Sequence, residues 1–197
     1  MGNPFKAMIF GYLLPLGSAA VVLFIPDYDS NSIPWIIVIL AILLILPILL
    51  SFRFPTNRKK AYKLTLTYQM YASTFFFTFP LLKVLKGHLV FQILLIGIFV
   101  IIYFLARIDQ QTEVPIVFPD SDKVKWIAYP YYVIPFLLAI LGVGGNISAT
   151  RILFDYFGAT TMMPYFTTII YLFSCWLLFL FSSLAYKSHV KEGYLEK

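Results

Sequence analysis

Hydroxyl groups recur at helical spacing in two apolar stretches of this chain. Thr67, Tyr71, Thr74 and Thr78 repeat at intervals of 4, 3 and 4, which puts them on one face of a helix. Gln69 and Ser73 form a second polar line beside them, and Phe75, Phe76 and Phe79 occupy the other side. Further on, Thr167, Tyr171, Ser174 and Ser182 lie close to one helical face, with Cys175 adjoining. Neutral hydroxyls in an apolar helix bond back to their own carbonyls, bond to a neighbouring helix, or line a cavity and orient a small solute. A buried hydroxyl without a partner costs a few kcal/mol, so both faces are expected to point into a helix bundle rather than at lipid. Gln92, the single polar residue of another apolar stretch, reads as interhelical glue or as a ligand group.

Catalytic chemistry has little to work with. The chain has two histidines, His88 and His189, both at or beyond the ends of the apolar stretches, and no His-Glu-x-x-His pattern. Cys175 is the single cysteine, so there is no intrachain disulfide and no cysteine metal cluster, and no histidine is placed to activate it as a nucleophile. The apolar stretches contain no carboxylate for a proton relay or a charged sodium site. The expectation is a protein that is not an enzyme, with no catalytic residues, no metal and no cofactor.

The elements that must carry these side chains are six apolar stretches, at about 7–25, 34–52, 64–82, 89–106, 127–147 and 163–186, none with an Asp, Glu, Lys or Arg. Each is near the ~20 residues that cross a ~30 Å hydrocarbon core as helix. The fold class expected is an all-α membrane protein of six transmembrane helices. Composition agrees: 60% of residues are hydrophobic and 12% charged, against about 25% charged in a soluble domain. The spans consume most of the 197 residues, and the longest connection, 107–126, is too short for a core of its own, so residues 1–197 are expected to form a single membrane domain. The first stretch follows one base, Lys6, and is expected to be a retained helix rather than a signal peptide.

The bases orient the spans. Twelve of the fifteen Lys and Arg fall on one side: Lys6; Arg53, Arg58, Lys59, Lys60 and Lys63; Arg107, Lys123 and Lys125; Lys187, Lys191 and Lys197. Lys83, Lys86 and Arg151 fall on the other. Cytoplasmic loops retain Lys and Arg, which places both termini in the cytoplasm. The net charge of +6 is thereby located at helix ends, where it meets anionic lipid, and nucleic acid is not an expected partner. Arg53, Arg58, Lys59, Lys60 and Lys63 form the densest cluster and are the lipid-headgroup candidates.

Local patterns add detail. Ala7, Gly11, Pro15 and Ser18 make a small-residue face in the first span, suited to close helix packing within the protein or to docking another subunit. The second span is almost wholly Ile, Leu and Val, with Pro47 near its inner end, and is expected at the lipid periphery. Residues 107–126, with Pro115 and Pro119, read as an extended cytoplasmic connector, with Trp126 and Tyr129 as interfacial anchors. Pro130 and Pro135 in the fifth span could free backbone carbonyls inside the membrane; the simpler reading puts Pro130 in the first turn, with Gly142–Gly145 closing the helix. Residues 149–161 suit a short interfacial helix on the outer surface. The polar spans fall third in each half, and the longest loop joins the halves, as in a three-plus-three arrangement of inverted topology; no aligned residue repeat accompanies it.

In size and span count the chain resembles the substrate-capturing membrane subunits of energy-coupling vitamin importers, and equally the small immunity or accessory proteins encoded beside toxin and secretion systems. Two roles follow. The first is an accessory, immunity or assembly subunit that works by helix packing with a membrane-protein partner or a second copy. The alternative is a small-solute carrier or substrate-capture subunit with a polar cavity between spans three and six. The frequent Phe, Tyr, Ile and Lys fit an AT-rich bacterial genome, and with it the bacterial plasma membrane.

Overall fold

The structure is a computed structural model, and it describes residues 4–54, 58–112, 115–118, 125–141 and 147–186. It is all-helical, with no strand among the described residues. Seven α-helices follow in order: α1 Pro4–Phe24, α2 Ile33–Arg53, α3 Arg58–Val84, α4 Leu89–Gln111, α5 Lys125–Leu141, α6 Ile147–Phe157 and α7 Ala159–Tyr186. Six of them coincide in position with the apolar stretches, and α6 is the short addition. Three segments are long and apolar enough to cross a membrane, Ser30–Arg53, Leu89–Gln111 and Ala159–Tyr186. At ~1.5 Å per residue, the helices α2, α4 and α7 run about 32, 35 and 42 Å. α3 has 27 residues and is long enough, but its threonines, tyrosines and glutamine keep it out of that apolar set.

Local chemistry sets the helix ends. Before α2, the Asp29 carboxylate accepts from the backbone N–H of Asn31 at 3.0 Å and from the Ser32 hydroxyl at 2.6 Å, closing a turn of 3-10 helix over Ser30–Ser32. Pro34 then sits at the start of α2, where its missing N–H has no partner to lose. Between α3 and α4 the chain turns at Gly87, whose φ of +94° is cheap only for glycine.

The helices form two compact units, one comprising α1, α2 and α3 as far as Phe79, the other running from Pro80 through α7. The division falls inside α3, at its internal proline. In the first unit α1 packs along α2, and the Tyr12 hydroxyl donates to the Leu40 carbonyl at 2.7 Å. Its core joins Ala19, Val22, Ile36 and Phe76, with Trp35 and Phe79 against it at 4.6 Å between ring centroids. The small-residue face of α1 is packed here: Pro15 and Ser18 are buried, and a Cβ on Gly11 would lie 2.6 Å from Gln69 Oε1 and 3.2 Å from Leu66 Cδ1. The side chain of Ala7 lies outside the described residues. α2 buries Ile36, Leu43 and Pro47 and leaves an exposed row including Ile37, Val38, Ile42, Leu44, Ile45, Ile48 and Leu49, as a lipid-facing helix would.

In the second unit α7 is the hub, with α4, α5 and α6 each packed on it. Its core joins Leu81, Tyr171 and Cys175, flanked by Leu85, Leu95, Phe99 and Ile102. The outward side of α4 is exposed and apolar from Leu89 to Ile108.

Two local expectations are corrected. Residues 107–126 are not simply an extended connector. α4 continues to Gln111, Asp109 and Gln110 are buried, and Pro115 and Val117 are buried beyond them. The physical reason is satisfaction of buried polar groups: the Asp109 carboxylate holds the N–H groups of the returning segment. Pro130 does not lie in a first turn either, because α5 begins at Lys125. Gly142–Gly145, Pro119, Lys123, His189 and the carboxy-terminal bases lie outside the described residues.

Candidate functional site

The polar side chains of α3 are buried on two sides of the helix: at about 100° per residue, the Gln69 and Ser73 line lies nearly opposite Thr67, Tyr71, Thr74 and Thr78 rather than beside them. Thr65, Gln69 and Ser73, at i, i+4 and i+8, are the deepest polar side chains of this helix together with Thr74, and Thr78 is also buried. Thr67 and Tyr71 are half-buried. The hydroxyls close largely on their own helix. Thr65 donates to the Ala61 carbonyl at 2.9 Å, Thr67 to Lys63 at 2.9 Å and Ser73 to Gln69 at 2.8 Å. Thr74 donates to Tyr71 at 2.8 Å and Thr78 to Phe75 at 2.7 Å. Such back-bonds let a hydroxyl be buried without a tertiary partner.

On α7, Thr167, Tyr171, Ser174, Cys175, Ser182 and Ser183 are all buried. Thr167 bonds back to the carbonyls of Met163 and Pro164, at 2.8 and 3.2 Å. Tyr171 reaches across instead and donates to the Leu95 carbonyl of α4 at 2.7 Å. The Oγ atoms of Ser182 and Ser183 are buried without a hydrogen-bond partner among the described residues. Gln92 is half-buried, and its Nε2 donates to the Leu82 carbonyl at 3.0 Å. Leu82 lies in the last turn of α3, where carbonyls run out of helical donors, so Gln92 caps the preceding helix.

The basic cluster divides. Arg53 is exposed in the last turn of α2. Lys60 sits over the Phe54 ring at 4.8 Å, and Lys63 is half-buried. Arg58 and Lys59 start α3, with side chains outside the described residues.

Two pairings were missed at the level of sequence, although the prolines of α5 do point to free carbonyls. In α5, Pro135 has no N–H to give the Tyr131 carbonyl, and the Trp176 indole of α7 supplies that donor at 3.0 Å. The Tyr131 hydroxyl donates in return to the Trp176 carbonyl at 2.8 Å, and the two rings stack with centroids 5.5 Å apart. Pro135 was the available signal, since it announces an unfilled carbonyl four residues upstream. The second is at the end of α4. Asp109 Oδ1 accepts from the Ile116 N–H at 2.7 Å and Oδ2 from the Val117 N–H at 3.4 Å. Gln110 Nε2 bridges Asp109 Oδ2 at 3.1 Å and the Val117 carbonyl at 2.7 Å. This carboxylate is occupied with backbone donors, which suits a loop latch rather than a general base or cation ligand.

Chemically, these faces can hold helices together and cap carbonyls. Cys175 is buried beside Tyr171, and the described histidine, His88, is exposed at the start of α4. Among the described residues no three His, Cys, Asp or Glu side chains converge as a metal site. The chain matches no protein-family profile, no curated protein and no solved structure.

Proposed function

We propose that this chain is a six-span integral membrane domain of the bacterial plasma membrane, with both termini cytoplasmic. Its role is that of a non-catalytic accessory, immunity or assembly subunit acting through helix packing with a membrane partner or a second copy. The observation that carries this reading is how the polar groups are used. The buried hydroxyls of Thr65, Ser73, Thr74 and Thr78 on α3 and of Thr167 on α7 close on their own backbone, and the longer polar side chains Tyr12, Gln92, Tyr131, Tyr171 and Trp176 each cap a carbonyl of another helix. Polar chemistry directed to helix contacts suits a packing protein. The exposed apolar rows of α2 and α4 support lipid as the surrounding solvent.

Thr74→Val and Tyr171→Phe test the role. In a packing subunit both variants keep most of the activity revealed by deleting the gene, because Thr74 bonds back to its own helix and the interhelical bond of Tyr171 is of a kind worth about 0.6 kcal/mol on average in a membrane. If these hydroxyls orient a solute, each change costs roughly 1–3 kcal/mol, about tenfold to a hundredfold in affinity. Near-total loss in both variants, at normal membrane abundance, refutes the packing role and favours a solute carrier.

A further inference from the structure

α6 has eleven residues, about 16 Å at ~1.5 Å per residue, so it cannot cross a bilayer. Its position along the chain is tightly fixed. Gly158, at φ +77°, ends it by donating its N–H to the Phe154 carbonyl at 2.9 Å, and α7 begins at the next residue. α6 therefore ends where a helix long and apolar enough to span a membrane begins. α7 exceeds the ~30 Å hydrocarbon core by about 12 Å. Its exposed first residues, Thr160 and Thr161, suit the headgroup zone. α6 leaves α7 at that level.

Around its axis α6 has three sectors. Thr150, Leu153 and Phe154 are half-buried and turn inward; Phe154 stacks on Phe166 of α7 with ring centroids 5.4 Å apart and planes 6° from parallel. Ile152 and Tyr156, one turn apart, form an apolar sector that is 66% and 82% exposed. Arg151 and Asp155, also one turn apart and about 100° round from that pair, form an exposed charged sector. A helix in water does not need the second sector, and a helix inside a bilayer would not carry the third. Adjacent apolar and charged sectors suit a helix lying along the boundary between acyl chains and headgroups.

We propose that α6 is an interfacial anchor whose Ile152–Tyr156 sector is covered by the lipid of the leaflet in which α7 begins, fixing the depth of α7. This rests on the membrane reading of α4 and α7 given above. The occupant is lipid because the uncovered sector lies next to the end of a spanning helix and is bordered by one charge of each sign.

The test places single cysteines, in a Cys175→Ser background, at Arg151, Ile152, Asp155, Tyr156 and, as a reference on exposed α4, Leu94. The spin-labelled full-length protein is reconstituted in phosphatidylcholine–phosphatidylglycerol vesicles, and collision with oxygen is compared with collision with a water-soluble nickel chelate. The oxygen-to-nickel ratio at 152 and 156 is expected to exceed that at 151 and 155 severalfold, with Leu94 the highest. If all four α6 positions are nickel-accessible while Leu94 is oxygen-rich, α6 stands off in water and the inference is overturned. If 152 and 156 are closed to both reagents, protein covers the sector and the inference is again overturned, with the bilayer reading intact. A nickel-accessible Leu94 overturns both.

Discussion

Replacing Trp176 by Phe asks whether the indole serves the carbonyl that Pro135 leaves open. α5 offers the Tyr131 carbonyl no donor at position 135, and Trp176 Nε1 fills the vacancy at 3.0 Å. A buried acceptor stripped of its partner costs roughly 1–3 kcal/mol, while interhelical hydrogen bonds in membranes average about 0.6 and reach about 1.7 kcal/mol. In the bilayer proposed above water does not substitute, so the upper part of the second range applies and about 1 kcal/mol is expected from the hydrogen bond itself. Trp176→Phe also loses ring contacts with Tyr131 and Phe173, so the single variant confounds two effects.

A double-mutant cycle with Pro135→Ala separates them. The introduced alanine brings its own N–H, which closes the helical bond to the Tyr131 carbonyl and makes the indole donor redundant. The ring contacts are lost in both backgrounds and cancel in the cycle. Trp176→Phe should therefore cost about 1 kcal/mol less in the Pro135→Ala background, about fivefold in the unfolding constant. Reversible unfolding in mixed micelles or steric trapping in bicelles measures this. Pro130→Ala is the control, because residue 130 would serve the Trp126 carbonyl and should show no coupling to Trp176. Equal cost in the parent and Pro135→Ala backgrounds, within about 0.3 kcal/mol, refutes the reasoning and leaves Trp176 as a packing residue.

Topology is checked with single cysteines in a Cys175→Ser background: Ser30, Lys83 and Arg151 should label from outside with an impermeant thiol reagent, Asn57 and Ser121 only after the membrane is opened. Labelling of position 57 in intact cells would invert the orientation. Asp109→Ala removes the acceptor for the Ile116 and Val117 N–H groups and should cost ~2 kcal/mol of local stability. Amide exchange should accelerate at residues 116 and 117 and not in the middle of α4; unchanged exchange there rules out the latch.

The positions of the six long helices were legible because an apolar run has one dominant origin, the solvent it must face. α2 shows this most simply: with no polar group to shelter, it buries three side chains and leaves most of its Ile and Leu exposed or half-buried. The burial of Thr74, Thr78, Thr167, Tyr171 and Ser174 was legible for the opposite reason, since each carries a group that lipid cannot satisfy. What spacing could not rank was the depth of the two polar lines on α3. Thr65, Gln69 and Ser73 lie as deep as Thr74, and Thr67 and Tyr71 shallower, because depth depends on where Gly11 lets α1 approach, and that is a tertiary fact.

The partners of the long polar side chains were legible only in part, and the reason is the nature of the acceptor. A Tyr or Trp that caps a carbonyl chooses a group every residue possesses, so composition carries no record of the pairing. Proline is the exception, because it marks the carbonyl four residues upstream as unfilled. Pro135 names Tyr131 in this way, and Trp176 answers it. Asp109 misleads by the same logic in reverse. A carboxylate just past an apolar run reads as a solvated helix end, yet here its acceptors are taken by the N–H groups of Ile116 and Val117, and the returning segment buries it. Because those donors belong to the backbone, substitutions at Ile116 or Val117 that preserve size should leave the latch in place, whereas proline at 116 would remove its 2.7 Å bond outright.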